Sequence, residues 1–262
     1  MNILEEIILN TQKEVDERKA KVSLASLEST AYFQRNSLAS LKASLADAST
    51  SGIISEIKKK SPSKGIINDK VTVEEVGVAY EAAKASAISV LTDFKYFGGT
   101  MEYLQRVREK VTIPILRKDF MVDEYQVLEA KAIGADVILL IAAALTPQKL
   151  EDLAKFAKSI GLEVLMEVHN EEELNRSLNP YLDVVGVNNR NLKTFEVSVQ
   201  TSIDLVEKIP DDFMKISESG LKDAETILSL KKVGYQGFLI GETFMKTDDP
   251  GEALRKLSDE LM

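Results

Sequence analysis

From Ile53 onward one pattern of hydrophobic and polar positions recurs. A short run rich in Val, Ile and Leu is followed by polar residues and then by a stretch with helical amphipathic spacing. The apolar runs cover 53–57, 87–91, 113–116, 136–141, 162–168, 184–187, 213–216 and 237–240. Their centres lie roughly 21 to 35 residues apart, the length of a strand–helix unit. Runs that are apolar throughout, rather than alternating, suit strands buried on both faces of a parallel sheet. The helical stretches have recognisable ends. Thr72 before Val73, Glu74 and Glu75 reads as an N-cap. Thr146-Pro147 puts proline at a first helical position, and Asn170 precedes three glutamates that suit the positive end of a helix dipole. Gly134, Gly161 and Gly234 each stand between a helical stretch and a strand, where a left-handed cap is wanted.

Eight such units predict an α/β protein with the (β/α)8 TIM-barrel fold. A doubly wound open sheet is the alternative, but its first strand is normally followed by G-x-G-x-x-G, and here KKKSPSKG follows. Residues 1–50 stand outside the repeat. Ile3, Ile7 and Ile8 make a helical stripe that Val15 continues less regularly, and 31–45 reads as a second helix. The expectation is a single domain over 1–262. In it a helical extension (1–50) packs on the outside or over one end of a barrel (51–262).

Composition narrows the chemistry. A net charge of −9 disfavours nucleic-acid binding, which needs a basic face. An anionic substrate remains compatible if a few cations converge on one site. The absence of cysteine excludes disulfides, zinc–thiolate sites and iron–sulfur clusters, and a single histidine argues against zinc. No stretch approaches the about 20 apolar residues of a membrane span. The start, MNILEEIILN, has acids where a secretory signal carries lysines, so a cytoplasmic, unprocessed protein is expected.

In a TIM barrel, polar residues at the carboxyl ends of the strands converge on one mouth. Glu56 and Lys58 end the first strand and, two apart, share a face. They read as a site pair or as a structural ion pair, and Pro62 with the polar run marks the strand's carboxyl end. Lys118 and Asp119 end the third strand. Glu167 ends the fifth and, as a carboxylate in an apolar run, needs a partner that a lysine across the mouth would supply. Asn188, Asn189 and Arg190 end the sixth strand, Ser217, Glu218 and Ser219 the seventh, and Gly241 and Glu242 the eighth. His169, just past the fifth strand, reads as an incidental rim residue. Ser219-Gly220 and Gly241-Glu242 lie where this fold commonly binds phosphate, with Ser61 and Ser63 on the adjacent sector and Lys58 or Arg190 for charge. Phe94, Tyr96, Phe97 and Phe120 offer aromatic faces for a planar ring.

The motifs SEIKKKSPSKG, VLTDFKYFGGT, ILRKDF, VLMEV, VGVNNRNL, SESG and FLIGE, in this order, resemble those of the indole-3-glycerol-phosphate synthase family. The N-terminal ILEEIILNTQKEVDERK is similar to that family's helical extension, so the resemblance covers nearly the whole chain. It implies conversion of 1-(o-carboxyphenylamino)-1-deoxyribulose 5-phosphate to indole-3-glycerol phosphate, carbon dioxide and water, with no cofactor and no metal. It implies Lys118 as the general acid at the sugar carbonyl and Glu167 as the second acid–base or electrostatic group. Lys58 would hold the substrate carboxylate, Glu56 would act as its paired base, and Asn188 and Ser219 would hydrogen-bond the substrate. Ser61, Gly220, Gly241 and Glu242 match the phosphate cradle, with Arg190 beside it. Phe97, Phe120 and Leu139 match the apolar walls. Glu242 and Asn189 depart from a frequent serine. The expected partner is the small-molecule substrate alone, with the chain a monomer or weak homodimer.

Two rival readings remain: another phosphate-binding barrel, such as a sugar-phosphate isomerase or epimerase, and a non-catalytic sugar-phosphate-binding barrel. Phosphoribosylanthranilate isomerase typically uses a cysteine base, which this chain lacks. A pure binder has no need of Lys118, Glu167, Glu56 and Lys58 together.

Overall fold

The computed structural model describes residues 3–62, 64–192 and 194–261. The apolar runs become β1 (Ile53–Ile57), β2 (Ala87–Leu91), β3 (Ile115–Lys118), β4 (Val137–Ile141), β5 (Glu163–Val168), β6 (Val184–Asn188), β7 (Met214–Glu218) and β8 (Gly237–Ile240). Each pairs in parallel with the next, and β8 closes on β1. β3 begins two residues later than the apolar run because Pro114 has no N–H for a ladder. The strand also runs two residues past the apolar run, and so includes Lys118.

Helices α1 (Ile3–Lys21), α2 (Leu24–Glu28) and α3 (Leu41–Ala46) precede the barrel. Around it run α4 (Val73–Ala82), α5 (Phe94–Phe97), α6 (Met101–Arg108), α7 (Glu124–Ala132), α8 (Pro147–Ser159), α9 (Glu171–Ser177), α10 (Gln200–Leu205), α11 (Ala224–Val233), α12 (Glu242–Met245) and α13 (Pro250–Leu261). The caps form where the chain signals them. Thr72 and Glu75 make a reciprocal capping box on α4, while Thr146 and Asn170 cap α8 and α9. Gly134, Gly161 and Gly234 all adopt positive φ.

The predicted helix over 31–45 does not form as one element. Turns run through 31–34, and a six-residue helix starts only after Ser40, whose side chain accepts from Ala43 N–H. Ser37 and Asn36 favour local backbone bonds over helix, and Ser40 is a better cap than helix interior. The short helix has a definite place. Leu41 and Leu45 join the cluster inside the barrel that includes Ile54, Leu116, Leu165 and Ile216, and so close its floor. Asp136 accepts from Ala39 N–H and Glu163 from Ser40 and Lys42, tying the plug to the starts of β4 and β5. At the other end α1 leans over the opposite opening, where Ile3, Leu4 and Ile7 line a cavity in the barrel mouth.

Candidate active site

The strand parity that points Ile54, Leu116, Leu165 and Ile216 into the apolar floor carries Glu56, Lys118, Glu167 and Glu218 inward two residues further on. The barrel interior is therefore dry below and charged above. A cavity of about 740 Å³ opens there, at the carboxyl ends of the strands.

Its centre is Lys118. The ammonium lies 3.0 Å from Glu167 Oε2 and 2.7 Å from Glu218 Oε2. Lys58 pairs with Glu56 beside them. Burial penalises the Lys118 charge, but Glu167, Glu218 and Glu56 outweigh it and hold the ammonium well above its ordinary range. Burial likewise opposes ionisation of Glu167, yet Lys118 and then His169 draw it well below the usual carboxylate range. Glu218 goes the other way. Burial pushes its carboxyl up, Lys118 pulls it down, Glu167 pushes it up again, and it settles at about 7. The geometry explains the contrast. Glu218 Oε1 is buried without a hydrogen-bond partner among the described residues and rests on Gly186, where an added Cβ would come within 2.4 Å. Two ammoniums face three carboxylates, so one carboxyl can keep a proton without stranding a cation.

Gly241 plays the matching part for Glu56: a Cβ there would sit 2.3 Å from Glu56 Oε2. Gly186, which nothing in the sequence marked, and Gly241 thus create the space that two acids fill. The turn after β7 is also constrained. Ser219 has φ 67°, left-handed for a non-glycine residue, and Gly220 follows at 78°. Asn189 Nδ2 donates to Ser219 O at 3.0 Å, which helps hold that turn. Ser219, Gly220, Gly241, Glu242, Ser61 and Arg190 all line the cavity, and they follow strands β6, β7, β8 and β1, which are neighbours in the barrel. Arg190 N–H donates to Asn188 Oδ1, and the Glu242 carboxylate lies 3.8 Å from the Lys64 ammonium, both residues lining the cavity. Ser63 lies outside the described residues. Phe97 and Phe120 form an aromatic wall with ring centroids 6.1 Å apart, and Leu139 lies on the cavity floor.

Several sequence expectations change. Asp119 turns outward, bonding Arg117 and accepting from Thr92 Oγ1 at 2.6 Å. Asn189 and Ser217 also face the helix layer, where they bond each other and Ser202. Phe94 is exposed and Tyr96 is buried with its hydroxyl donating to Glu6, so neither reaches a ligand. Glu218, seen in the sequence only as one of three strand-end polar residues, is a central member. Its signal was the two-residue spacing from Ile216. His169 is not an incidental rim residue; its ring is buried between two carboxylates.

A closed (β/α)8 barrel that gathers ammonium and carboxylate groups at the carboxyl ends of its strands is built as an acid–base enzyme. The model of the family described as indole-3-glycerol phosphate synthase matches residues 4–257. A relative from Bacteroides thetaiotaomicron, named indole-3-glycerol phosphate synthase, is 48% identical over 254 residues, covering 97% of this chain and 96% of the relative. The chain belongs to the indole-3-glycerol phosphate synthase family. Solved structures share its fold at lower identity. A 3-hexulose-6-phosphate synthase from Salmonella typhimurium superposes with a TM-score of 0.63 at 15% identity, over 80% of this chain and 97% of that one. A mutant tryptophan synthase alpha-subunit from Pyrococcus furiosus gives 0.62 at 18%, over 81% and 98%. No helix among the described residues is long and apolar enough to cross a membrane.

Proposed function

We propose that this chain, as an indole-3-glycerol-phosphate synthase of tryptophan biosynthesis, closes the indole ring of 1-(o-carboxyphenylamino)-1-deoxyribulose 5-phosphate, releasing carbon dioxide and water. The observation that carries the assignment of roles is the Lys118 ammonium, buried between Glu167 and Glu218 beside the Glu56–Lys58 pair. The phosphate is held by Ser61, Ser219, Gly220, Gly241 and the backbone of Glu242, with Arg190 adding charge. The anthranilate ring lies against Phe97 and Phe120 over Leu139, and Lys58 receives its carboxylate. Anchoring both ends of one flexible molecule folds it into a reactive pose.

Lys118 gives its proton to the sugar carbonyl oxygen as the ring carbon bearing the carboxylate attacks, and a carbon–carbon bond forms. Loss of carbon dioxide returns the bond electrons to the ring. The new hydroxyl then leaves as water with a proton from Lys58. Glu56 takes a proton from the methylene carbon next to nitrogen, which completes the indole. Glu167, ionised, stabilises the positive charge that builds on nitrogen during dehydration, and Asn188 with Ser219 orients the hydroxyls. Lys118 is charged at the start of the step, and because its ammonium is held well above its ordinary range its proton moves only as negative charge builds on the carbonyl oxygen.

We read 1–262 as one cytoplasmic domain. The seating of Leu41 and Leu45 in the barrel floor supports its unity. All named groups come from one chain, so a monomer or weak homodimer suffices, to be checked by sedimentation. The activity test is direct. The chain has no tryptophan, so indole fluorescence appearing with substrate stands clear of the protein. Turnover should be unaffected by a chelator. Absence of an indole product would overturn the assignment.

A further inference from the structure

His169 is the only histidine in the chain, and neither the reaction nor the phosphate cradle uses it. It follows β5 directly, and its ring is buried. Nε2 lies 3.3 Å from Glu167 Oε1, and Nδ1 lies 3.0 Å from Glu173 Oε2. Glu173 is itself fixed. Its Oε2 accepts from the His169 backbone N–H at 2.9 Å, its Oε1 accepts from Asn170 Nδ2, and its own N–H donates to Asn170 Oδ1 in the cap of α9. The charged groups against the ring are thus Glu167 from β5 and Glu173 from α9. Lys118 from β3 sits on the far oxygen of Glu167, with Glu218 from β7 beyond it. The 3-10 turn Ala142–Ala144, which also packs on β5 and α9, adds no charge.

Carboxylates in their ionised form only accept hydrogen bonds, and a neutral imidazole has one nitrogen that only accepts. With a carboxylate at each nitrogen, the neutral ring would set a lone pair against an anion. The doubly protonated ring donates from Nδ1 to Glu173 and sets Nε2 in ion-pair contact with Glu167 Oε1, without an aligned hydrogen bond among the described residues. Burial opposes that charge, but Glu167 and Glu173 outweigh it and raise the imidazole to about 10.

We propose, on the ring-closing reading above, that His169 is a positioning residue: an imidazolium clamped by Glu173 that fixes one oxygen of Glu167, so that the other faces Lys118 and the carboxylate stays ionised. It touches no substrate atom. Its effect passes through Glu167, whose orientation and charge set where the Lys118 ammonium points. Without it, Glu167 and Glu218 would share a single cation, and either could take the proton.

Nitrogen-15 NMR of the histidine-labelled full chain tests this without any substitution, since a single imidazole gives one set of signals. The expected result is a ring protonated on both nitrogens through pH 8; a neutral tautomer at pH 7 would overturn the proposal. His169→Gln keeps a donor but loses the charge. It should lower kcat about ten- to a hundredfold with KM within about twofold, as misplacement at the reacting centre does. It should also move the acid limb of the kcat profile up by about one pH unit, the effect of removing one neighbouring charge from a carboxylate. A residue that only supports the fold would reduce the amount of active enzyme and leave that limb in place, and such a result would also overturn the proposal. An unaltered chain that makes no indole would refute the reaction itself. An active chain whose His169→Gln variant keeps its acid limb would refute only the role of His169.

Discussion

Glu218→Gln replaces the one carboxyl of the mouth that holds its proton into the neutral range with an amide that cannot titrate. In the folded chain this carboxyl ionises at about 7, against 4.5 for the free side chain. Below 4.5 both states are protonated and the group is neutral in the balance. Between 4.5 and 7 the unfolded chain loses the proton while the folded chain keeps it, so each step up in pH favours unfolding. Above 7 the loss is complete and amounts to about 3 kcal/mol. The cause is visible: Glu218 Oε1 is packed on Gly186 with no hydrogen-bond partner among the described residues, in a site where Glu167 is already charged. Glutamine leaves one buried polar group equally unpaired at every pH, at about 1–3 kcal/mol. The variant should therefore be less stable than its parent at pH 4.5 to 5 and draw level with or pass it at pH 8.5. Urea unfolding at both pH values measures this. With a slope of about 3 kcal/mol per molar, the parent midpoint should fall by about 1 M more than the variant's between the two conditions. Titrating groups that do not touch Glu218 cancel in the comparison, so the difference reports Glu218 together with its coupling to Lys118 and Glu167. Parallel pH dependence in parent and variant would place the proton elsewhere and refute the electrostatic account of the site.

Lys118→Ala should reduce kcat at least about 100-fold, the scale of a lost general acid, with substrate binding largely kept; steady-state kinetics decides it. Gly186→Ala drives a methyl to within 2.4 Å of Glu218 Oε1 and 3.2 Å of Leu165 Cδ1, so kcat should fall while far-UV circular dichroism is unchanged. Leu41→Ala empties part of the barrel floor, far from the charged layer. It should cost about 2–5 kcal/mol in denaturant unfolding with kcat unaltered at permissive temperature.

Much of this protein was legible along the chain. Apolar runs at strand–helix spacing, threonine and asparagine caps and left-handed glycines are local features, and local features survive in one dimension. Lys118, Glu167, Glu56 and Lys58 were legible as well, because a charge at the end of a buried strand is costly unless something meets it. What the chain alone did not decide was which neighbour in each pair faces the cavity. Lys118 turns in and Asp119 out; Asn188 lines the cavity while Asn189 bonds within the helix layer. A strand's two faces are equivalent until closure makes one the interior, and only closure sets that parity. The same holds for contacts across long separations. The floor plug of Leu41, the space Gly186 leaves for Glu218, and the placing of the His169 ring between Glu167 and Glu173 all depend on groups that meet only when eight strands share one axis. Sequence determined the elements and the charges they carry; burial in a closed sheet decided which charges face one another and, through the loss of solvent, which of them remain ionised.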